Sequence, residues 1–107
     1  RPPLQDKKIQ PAVELPKTGA YPSAHAMRGV LFALILAELE PNLKDQLLAR
    51  GRQIGDDRVI AGVHFPSDVA AGQKVGEFLA PKFEASPAFQ ADLAKVRAEW
   101  AAASAKP

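Results

Sequence analysis

The 107-residue chain contains no cysteine, which excludes disulfide bonds, zinc–thiolate sites and cysteine nucleophiles. It also lacks a long apolar run. The longest, Val30–Ala37, is far shorter than the about 20 residues that a membrane-spanning helix needs, so we predict no membrane span. No signal-peptide pattern is visible, and the chain begins at Arg1 rather than at Met. We therefore expect that an upstream part was removed.

The chain also lacks a large excess of positive or negative charge, because its formal net charge is only +2. No basic run is longer than Lys7–Lys8, and no aromatic residues are interleaved with the basic ones, so we expect no nucleic-acid partner. A mild positive bias suits small anionic substrates. The length fits a single domain, residues 1–107.

Proline divides this domain into two parts. Five prolines lie within residues 1–22, and this density predicts an extended loop with too little apolar content to fold alone. Residues 23–103 lack strand alternation, which predicts an all-α helical core. We predict four helices, at residues 23–40, 43–62, 66–83 and 87–103. Ser23 is the expected N-cap of the first helix, and Pro81 and Pro87 are expected to end the third. The apolar run in the first predicts burial on all sides.

The chain has only two histidines, and both lie where phosphate chemistry is possible. His25 follows the predicted N-cap, where free N–H groups and the helix dipole attract anions. His64 precedes Asp68 by four residues, a spacing at which a carboxylate can hold one imidazole nitrogen. Arg58 precedes His64 by six residues and offers a planar guanidinium that grips phosphate oxygens in pairs.

Each of these residues also has a purely structural interpretation. His25 can be a satisfied helix-start residue, His64 and Asp68 a surface ion pair, and Arg58 a solvated helix charge. A metal site of two histidines and an aspartate lacks close spacing and a further strong ligand, so we predict no metal. The combination of Pro-Ser-x-His with Arg-x5-His-x3-Asp is rare by chance and favours a functional site.

These motifs resemble those of a known enzyme family. Its signature is Lys-x6-Arg-Pro, then Pro-Ser-Gly-His, then Ser-Arg-x5-His-x3-Asp. The matching stretches of this chain are Arg1-Pro2, Pro22-Ser23-Ala24-His25 and Asp57-Arg58-x5-His64-x3-Asp68. The sequence thus resembles the bacterial class A non-specific acid phosphatases of the PAP2 superfamily, which includes vanadium haloperoxidases. The resemblance implies an all-α bundle of which this chain is the C-terminal part.

The resemblance also implies a role for each matching residue. His64 would be the nucleophile that forms a phosphohistidine, Asp68 its orienting carboxylate, and His25 the general acid for the leaving alcohol. The implied phosphate cradle consists of Arg58, Arg1, Ser23 and Ala24. The implied reaction is hydrolysis of phosphomonoesters with broad specificity in the periplasm or outside the cell. No cofactor is expected, although phosphate or vanadate can occupy the site, and a homo-oligomer is compatible with the resemblance.

Three departures from the family pattern leave other functions open. The family's Lys would precede Arg1 by seven positions, so we expect an N-terminal segment or a separate chain to supply it together with further helices. Ala24 replaces a glycine and Asp57 replaces a serine, and either change can weaken phosphate binding. The alternatives are a lipid or pyrophosphate phosphatase of the same superfamily, a haloperoxidase, and a phosphate-binding or assembly module with little catalysis.

Overall fold

A computed structural model describes residues 1–105, and within this range the fold is all-helical, as predicted. The five α-helices are α1 (Pro2–Gln5), α2 (Ala24–Leu39), α3 (Lys44–Ile60), α4 (Pro66–Glu84) and α5 (Pro87–Ser104). A short 3-10 turn, Pro41–Leu43, connects α2 to α3. None of the helices in residues 1–105 is long and apolar enough to cross a membrane.

The first 22 residues are not a purely extended loop, and that prediction is wrong at α1. Pro2 and Pro3 occupy the first helical positions, where the missing N–H of proline has no intrahelical partner to lose. The rest of the segment lies on the helical core. The N–H of Ala12 donates to the carbonyl of Ala61 at 2.8 Å, which fixes the segment against the connection between α3 and α4.

The helix boundaries follow caps and prolines with one exception. Ser23 caps α2 as predicted, because its hydroxyl oxygen accepts a hydrogen bond from the N–H of Ala26 at 3.2 Å. Pro81 does not end α4, which continues to Glu84. Its carbonyl still accepts from the N–H of Ala85 at 3.0 Å, so this proline removes only one donor near the helix end.

Helix α2 packs between α3 and α4 through glycines. Gly29 of α2 and Gly51 of α3 meet backbone to backbone, and a Cβ atom on either would overlap the carbonyl of the other. Gly72 of α4 lies in the same way against the carbonyl of Ser23. The missing side chains allow the helices to approach closely. The start of α2 is thereby held against the first half of α4, which matters for the site described below.

The predicted burial of α2 on all sides is wrong on one face. Among the described residues, the buried apolar ones are Ala26, Val30, Leu31, Ala33, Ala37, Val63, Val69, Ala80 and Leu93. Phe32, in contrast, is 55% exposed and Leu36 is 41% exposed. Both side chains line an apolar groove between α2 and α3, opposite Leu47 and Ile54. We call it the α2–α3 groove.

Candidate active site

A cavity of about 270 Å³ lies where the start of α2, the end of α3 and the connection to α4 meet. It brings together five of the seven residues that the motifs single out. The side chains around it belong to Arg1, Ala24, His25, Arg28, Arg58 and His64, and to the loop residues Pro16, Thr18, Gly19 and Pro22. The two remaining predicted residues, Ser23 and Asp68, are buried.

Asp68 holds the ring of His64 from behind. Nδ1 of His64 lies 3.3 Å from Oδ2 of Asp68, and the N–H of Phe65 donates to the same oxygen at 2.8 Å. Asp68 lies in the first turn of α4, where the helix dipole stabilises a carboxylate. Both side chains are almost completely buried. The imidazole therefore has a fixed orientation, with its other nitrogen available to the cavity.

The contacts of His64 determine its tautomer. Nη1 of Arg1 lies 2.8 Å from Nε2 of His64, and a guanidinium group can only donate. Nε2 must therefore carry a lone pair, while the proton on Nδ1 donates to Asp68. Burial, followed by the charge of Arg1, lowers the pKa of His64, and the hydrogen bond to Asp68 only partly opposes this. A neutral imidazole with a lone pair on Nε2 is the form that a nucleophile requires, and here that lone pair accepts a hydrogen bond from Arg1.

Arg1 is held in place by three backbone carbonyls. Its guanidinium donates to the carbonyls of Thr18 at 3.2 Å, Gly19 at 3.3 Å and Val63 at 3.2 Å, and also to the hydroxyl of Thr18 at 3.3 Å. The loop after α1 thus folds back over the site and aims Arg1 at His64. Thr18 and Gly19 belong to none of the motifs, so their part in the site depends on the path of the loop and carried no signal in the sequence.

Arg58 lines the cavity, and its buried Nε has no hydrogen-bond partner among the described residues. Leaving a buried donor unpaired costs about 1–3 kcal/mol. The neighbouring Asp57 is exposed and does not line the cavity, so its carboxylate faces away from the position that a phosphate would occupy.

Ser23 connects the two halves of the site rather than facing the cavity. Its N–H donates to the carbonyl of Asp68 at 3.0 Å, and its hydroxyl caps α2. The N–H of Ser23 is therefore already used within the protein, and the contribution of the backbone around Ser23 and Ala24 to a phosphate cradle stays a prediction. Ala24 lines the cavity at the first position of α2, where a backbone N–H has no intrahelical acceptor.

His25 lines the cavity and lies among positive charges. Burial, and then the charge of Arg58, lowers its pKa, and Arg28, His64 and Arg1 add to the shift. His25 therefore keeps its proton only under more acidic conditions than an ordinary histidine. Arg28 is a site residue that the motifs missed. The signal was its position three residues after His25, which places both on one helix face.

The electrostatics of the cavity favour an anion. Arg1, Arg28 and Arg58 line it, while Asp68 lies behind His64 and is already bonded. Within residues 1–105, no group of three or more His, Asp or Glu side chains could hold a metal ion. The arrangement combines a neutral imidazole, a second histidine and three guanidinium groups around a space that can hold a phosphate.

Comparison with known proteins decides the family. The model of the PAP2 superfamily matches residues 1–83, a range that contains every predicted site residue. The chain belongs to the PAP2 superfamily. This finding confirms the resemblance inferred from the motifs, and it covers both the loop that carries Arg1 and the helices that carry the two histidines.

The similar PAP2 proteins include bacterial acid phosphatases. The chain is 47% identical over 85 residues to the non-specific acid phosphatase of Salmonella typhimurium, covering 79% of this chain and 34% of that protein. It is 40% identical over 88 residues to the non-specific acid phosphatase of Providencia stuartii, covering 82% and 36%. It is 41% identical over 93 residues to the acid phosphatase of Zymomonas mobilis, covering 85% and 35%. The chain therefore spans about a third of the length of these relatives, in their C-terminal part.

Proposed function

We propose that the complete protein is an acid phosphatase that hydrolyses phosphomonoesters of broad specificity through a phosphohistidine on His64. The observation that carries this proposal is the neutral, buried His64, whose Nε2 lone pair points into a cavity lined by arginines. Its membership of the PAP2 superfamily and its similarity to proteins named acid phosphatases support the same reaction.

The first half of the proposed reaction transfers the phosphoryl group to His64. Arg1 exchanges its hydrogen bond to Nε2 for one to a phosphate oxygen, which frees the lone pair for attack on phosphorus. The bond from phosphorus to the ester oxygen breaks, and protonated His25 gives its proton to the leaving oxygen. Arg58 and the N–H of Ala24 stabilise the charge on the other phosphoryl oxygens, because phosphoryl transfer depends mainly on positioning and electrostatics.

The second half of the proposed reaction regenerates the free enzyme. His25, now neutral, takes a proton from a water molecule, and the resulting oxygen attacks the phosphohistidine. The bond between phosphorus and Nε2 breaks, so inorganic phosphate leaves and His64 returns to its neutral form. His25 thus alternates between acid and base within one turnover, which requires a pKa near the working pH. The lowered pKa of His25 favours an acidic working range.

Three further properties belong to this proposal. Hydrolysis needs no cofactor, so a chelator should leave the rate unchanged, whereas vanadate should inhibit by occupying the phosphate position. The protein is periplasmic or secreted, which cell fractionation would test. A preceding segment or a separate chain supplies further helices and a lysine for the phosphate pocket. The length of the relatives and the exposed side chains of Phe32 and Leu36 support this last point.

A second candidate function is a phosphate-binding module with little catalysis. The observation that favours it is the hydrogen bond from Arg1 to Nε2 of His64, which occupies the proposed nucleophile at 2.8 Å. The presence of Ala24 in place of the family's glycine favours it as well. Binding of phosphate or vanadate without turnover would support this function over hydrolysis.

The experiment that separates the two functions uses the complete protein and p-nitrophenyl phosphate. We expect measurable hydrolysis, inhibition by vanadate, and a loss of at least about 10³-fold in kcat for His64→Ala, because the nucleophile is removed. The matched control is Arg52→Ala, an exposed residue on α3 that lies outside the cavity, which should keep full activity. Full activity in His64→Ala would contradict the proposal.

A further inference from the structure

We infer that Arg28 binds a second anionic group on the leaving-group side of the site, so that the protein prefers phosphate esters whose leaving group carries a negative charge. This inference rests on the proposed function, because it concerns the part of the substrate that is released. The chemical class comprises esters of carboxylated or phosphorylated alcohols. The preference is defined relative to phosphate esters of neutral alcohols and phenols with the same shape.

Arg28 lies at the boundary between two cavities. It lines the cavity that holds His64 and Arg58, and it also lines the adjoining α2–α3 groove, which has a volume of about 380 Å³. Among residues 1–105, His25 is the only other side chain that lines both. In the proposed mechanism His25 touches the leaving oxygen, so the leaving group extends from His25 towards the groove. Arg28, one helical turn further along α2, is the cation that this group meets first.

Arg28 has no carboxylate partner within residues 1–105. Two other exposed arginines of the same bundle are paired, since Arg52 lies 3.1 Å from Glu77 and Arg97 lies 3.3 Å from Glu38. Arg28 instead faces Arg1 and Arg58 across the same cavity. Like charges around one space repel each other, and an anion offsets that repulsion. Guanidinium groups bind carboxylate and phosphate through two parallel hydrogen bonds, which makes Arg28 suited to this class of ligand.

The groove beyond Arg28 holds one further cation. Its lining is mainly apolar, with Phe32 and Leu36 on α2 and Leu47 and Ile54 on α3, but Arg50 of α3 also lines it. Arg28 lines the cavity that holds His64, whereas Arg50 does not. A second anion close to the phosphoryl group is therefore within reach of Arg28, while a charge at the end of a longer leaving group would meet Arg50 instead.

The test compares two isosteric esters, 4-carboxyphenyl phosphate and 4-carbamoylphenyl phosphate, with the complete protein. The variant Arg28→Gln keeps a polar side chain but removes the charge, and Arg52→Gln is the matched control on the surface. The quantity measured is kcat/KM for the carboxylated ester divided by kcat/KM for the carbamoyl ester. We expect Arg28→Gln to lower this ratio by about threefold to tenfold. Arg28→Lys should restore part of the ratio. Differences in the intrinsic reactivity of the esters cancel, because each variant is compared with the unmodified protein.

Each other outcome has a definite meaning. Hydrolysis of both esters with an unchanged ratio in Arg28→Gln overturns the inference and leaves the proposed function intact. If the ratio is unchanged and Arg28→Gln lowers the melting temperature by more than Arg52→Gln does, the inference is also overturned. Arg28 then pairs with another part of the complete protein instead of with the substrate. Failure of the unmodified protein to hydrolyse either ester overturns the proposed function, and the inference falls with it.

Discussion

At the scale of single residues, the state of His64 depends on two neighbouring side chains and on burial. Asp68 holds Nδ1, Arg1 contacts Nε2, and burial keeps the ring neutral. The spacing of His64 and Asp68 predicted the first of these contacts. The contact with Arg1 joins residues 63 positions apart, and only the path of the loop brings them together. Local spacing can be read from a sequence, whereas a contact across the fold cannot.

Replacing Asp68 tests the orientation of His64. In Asp68→Asn the negative charge is lost, and the amide can donate to Nδ1, which would place the proton on the wrong nitrogen. We expect kcat to fall by about 10²-fold to 10⁴-fold, as for other histidines that lose an orienting carboxylate. Steady-state kinetics of the complete protein provide the measurement. The control is Asp57→Asn, whose carboxylate is exposed and outside the cavity, and equal activities of the two variants would contradict the assigned geometry.

The pH dependence follows from the charges around His25. Its pKa is lowered from 6.5 by burial and then by Arg58, with smaller contributions from Arg28, His64 and Arg1. Because the acid form of His25 is needed, kcat/KM should decline on the alkaline side at a pH below 6.5. Removing a nearby positive charge raises the pKa, so Arg28→Gln should move this decline to higher pH. A pH profile with p-nitrophenyl phosphate measures the shift, and Arg52→Gln should show none.

A decline that stays in place in Arg28→Gln would show that the charge of Arg28 does not reach His25. A decline that moves to lower pH would contradict the sign of the effect. The acidic side of the profile reports the protonation of His64 instead. Because burial and Arg1 lower the pKa of His64, that side should lie below the ordinary pKa of a histidine.

At the scale of helices, proline and caps predicted most of the fold. Ser23 starts α2, and Pro66 and Pro87 begin α4 and α5, as their positions indicated. The same reasoning failed at Pro2 and Pro81, which lie inside helices because they occupy a first turn and a last turn. Proline forbids a helix only where a backbone donor is needed, and the sequence alone does not show which donors are needed.

Gly72 tests how the helices position the two histidines. A Cβ atom at this position would overlap the carbonyl of Ser23, so Gly72→Ala must separate α4 from the start of α2. We expect a loss of about 1–3 kcal/mol in the free energy of unfolding, together with reduced kcat, because His25 and His64 move apart. Denaturant unfolding and kinetics of the complete protein measure both effects.

The control for the effect of Gly72→Ala on stability is Gly19→Ala, and the activities are not compared because Gly19 lines the cavity and accepts a hydrogen bond from Arg1. A Cβ atom at Gly19 meets nothing within 4 Å, so its free energy of unfolding should change by no more than about 0.5 kcal/mol. Similar losses in the two variants would show that the contact between α2 and α4 is not as close as described.

At the scale of the whole molecule, the exposed face of α2 shows what the chain alone does not complete. The run from Val30 to Ala37 predicted a buried helix, yet Phe32 and Leu36 remain exposed in the α2–α3 groove. The apolar pattern predicted which residues form a helix, but it did not show which of its faces the rest of the described chain covers. The similar acid phosphatases are about three times longer than the matched region.

Phe32 tests whether the proposed additional segment covers this face. In the complete protein, Phe32→Gln should lower the free energy of unfolding by about 1.5–3 kcal/mol, the value of one buried large apolar side chain. Phe78→Gln is the control, because Phe78 is 64% exposed on α4, away from the groove. Thermal and denaturant unfolding measure both variants. Equal, small effects would show that the groove stays open to solvent.

The central claim is that Nε2 of His64 attacks phosphorus, and trapping the intermediate tests it most directly. The complete protein would be mixed with p-nitrophenyl phosphate, quenched rapidly in base, digested and analysed by mass spectrometry. The account predicts a base-stable, acid-labile phosphoryl group on the peptide that contains His64, and none in His64→Ala. Steady hydrolysis with no phosphoryl group on His64, or with one on His25 instead, would contradict it.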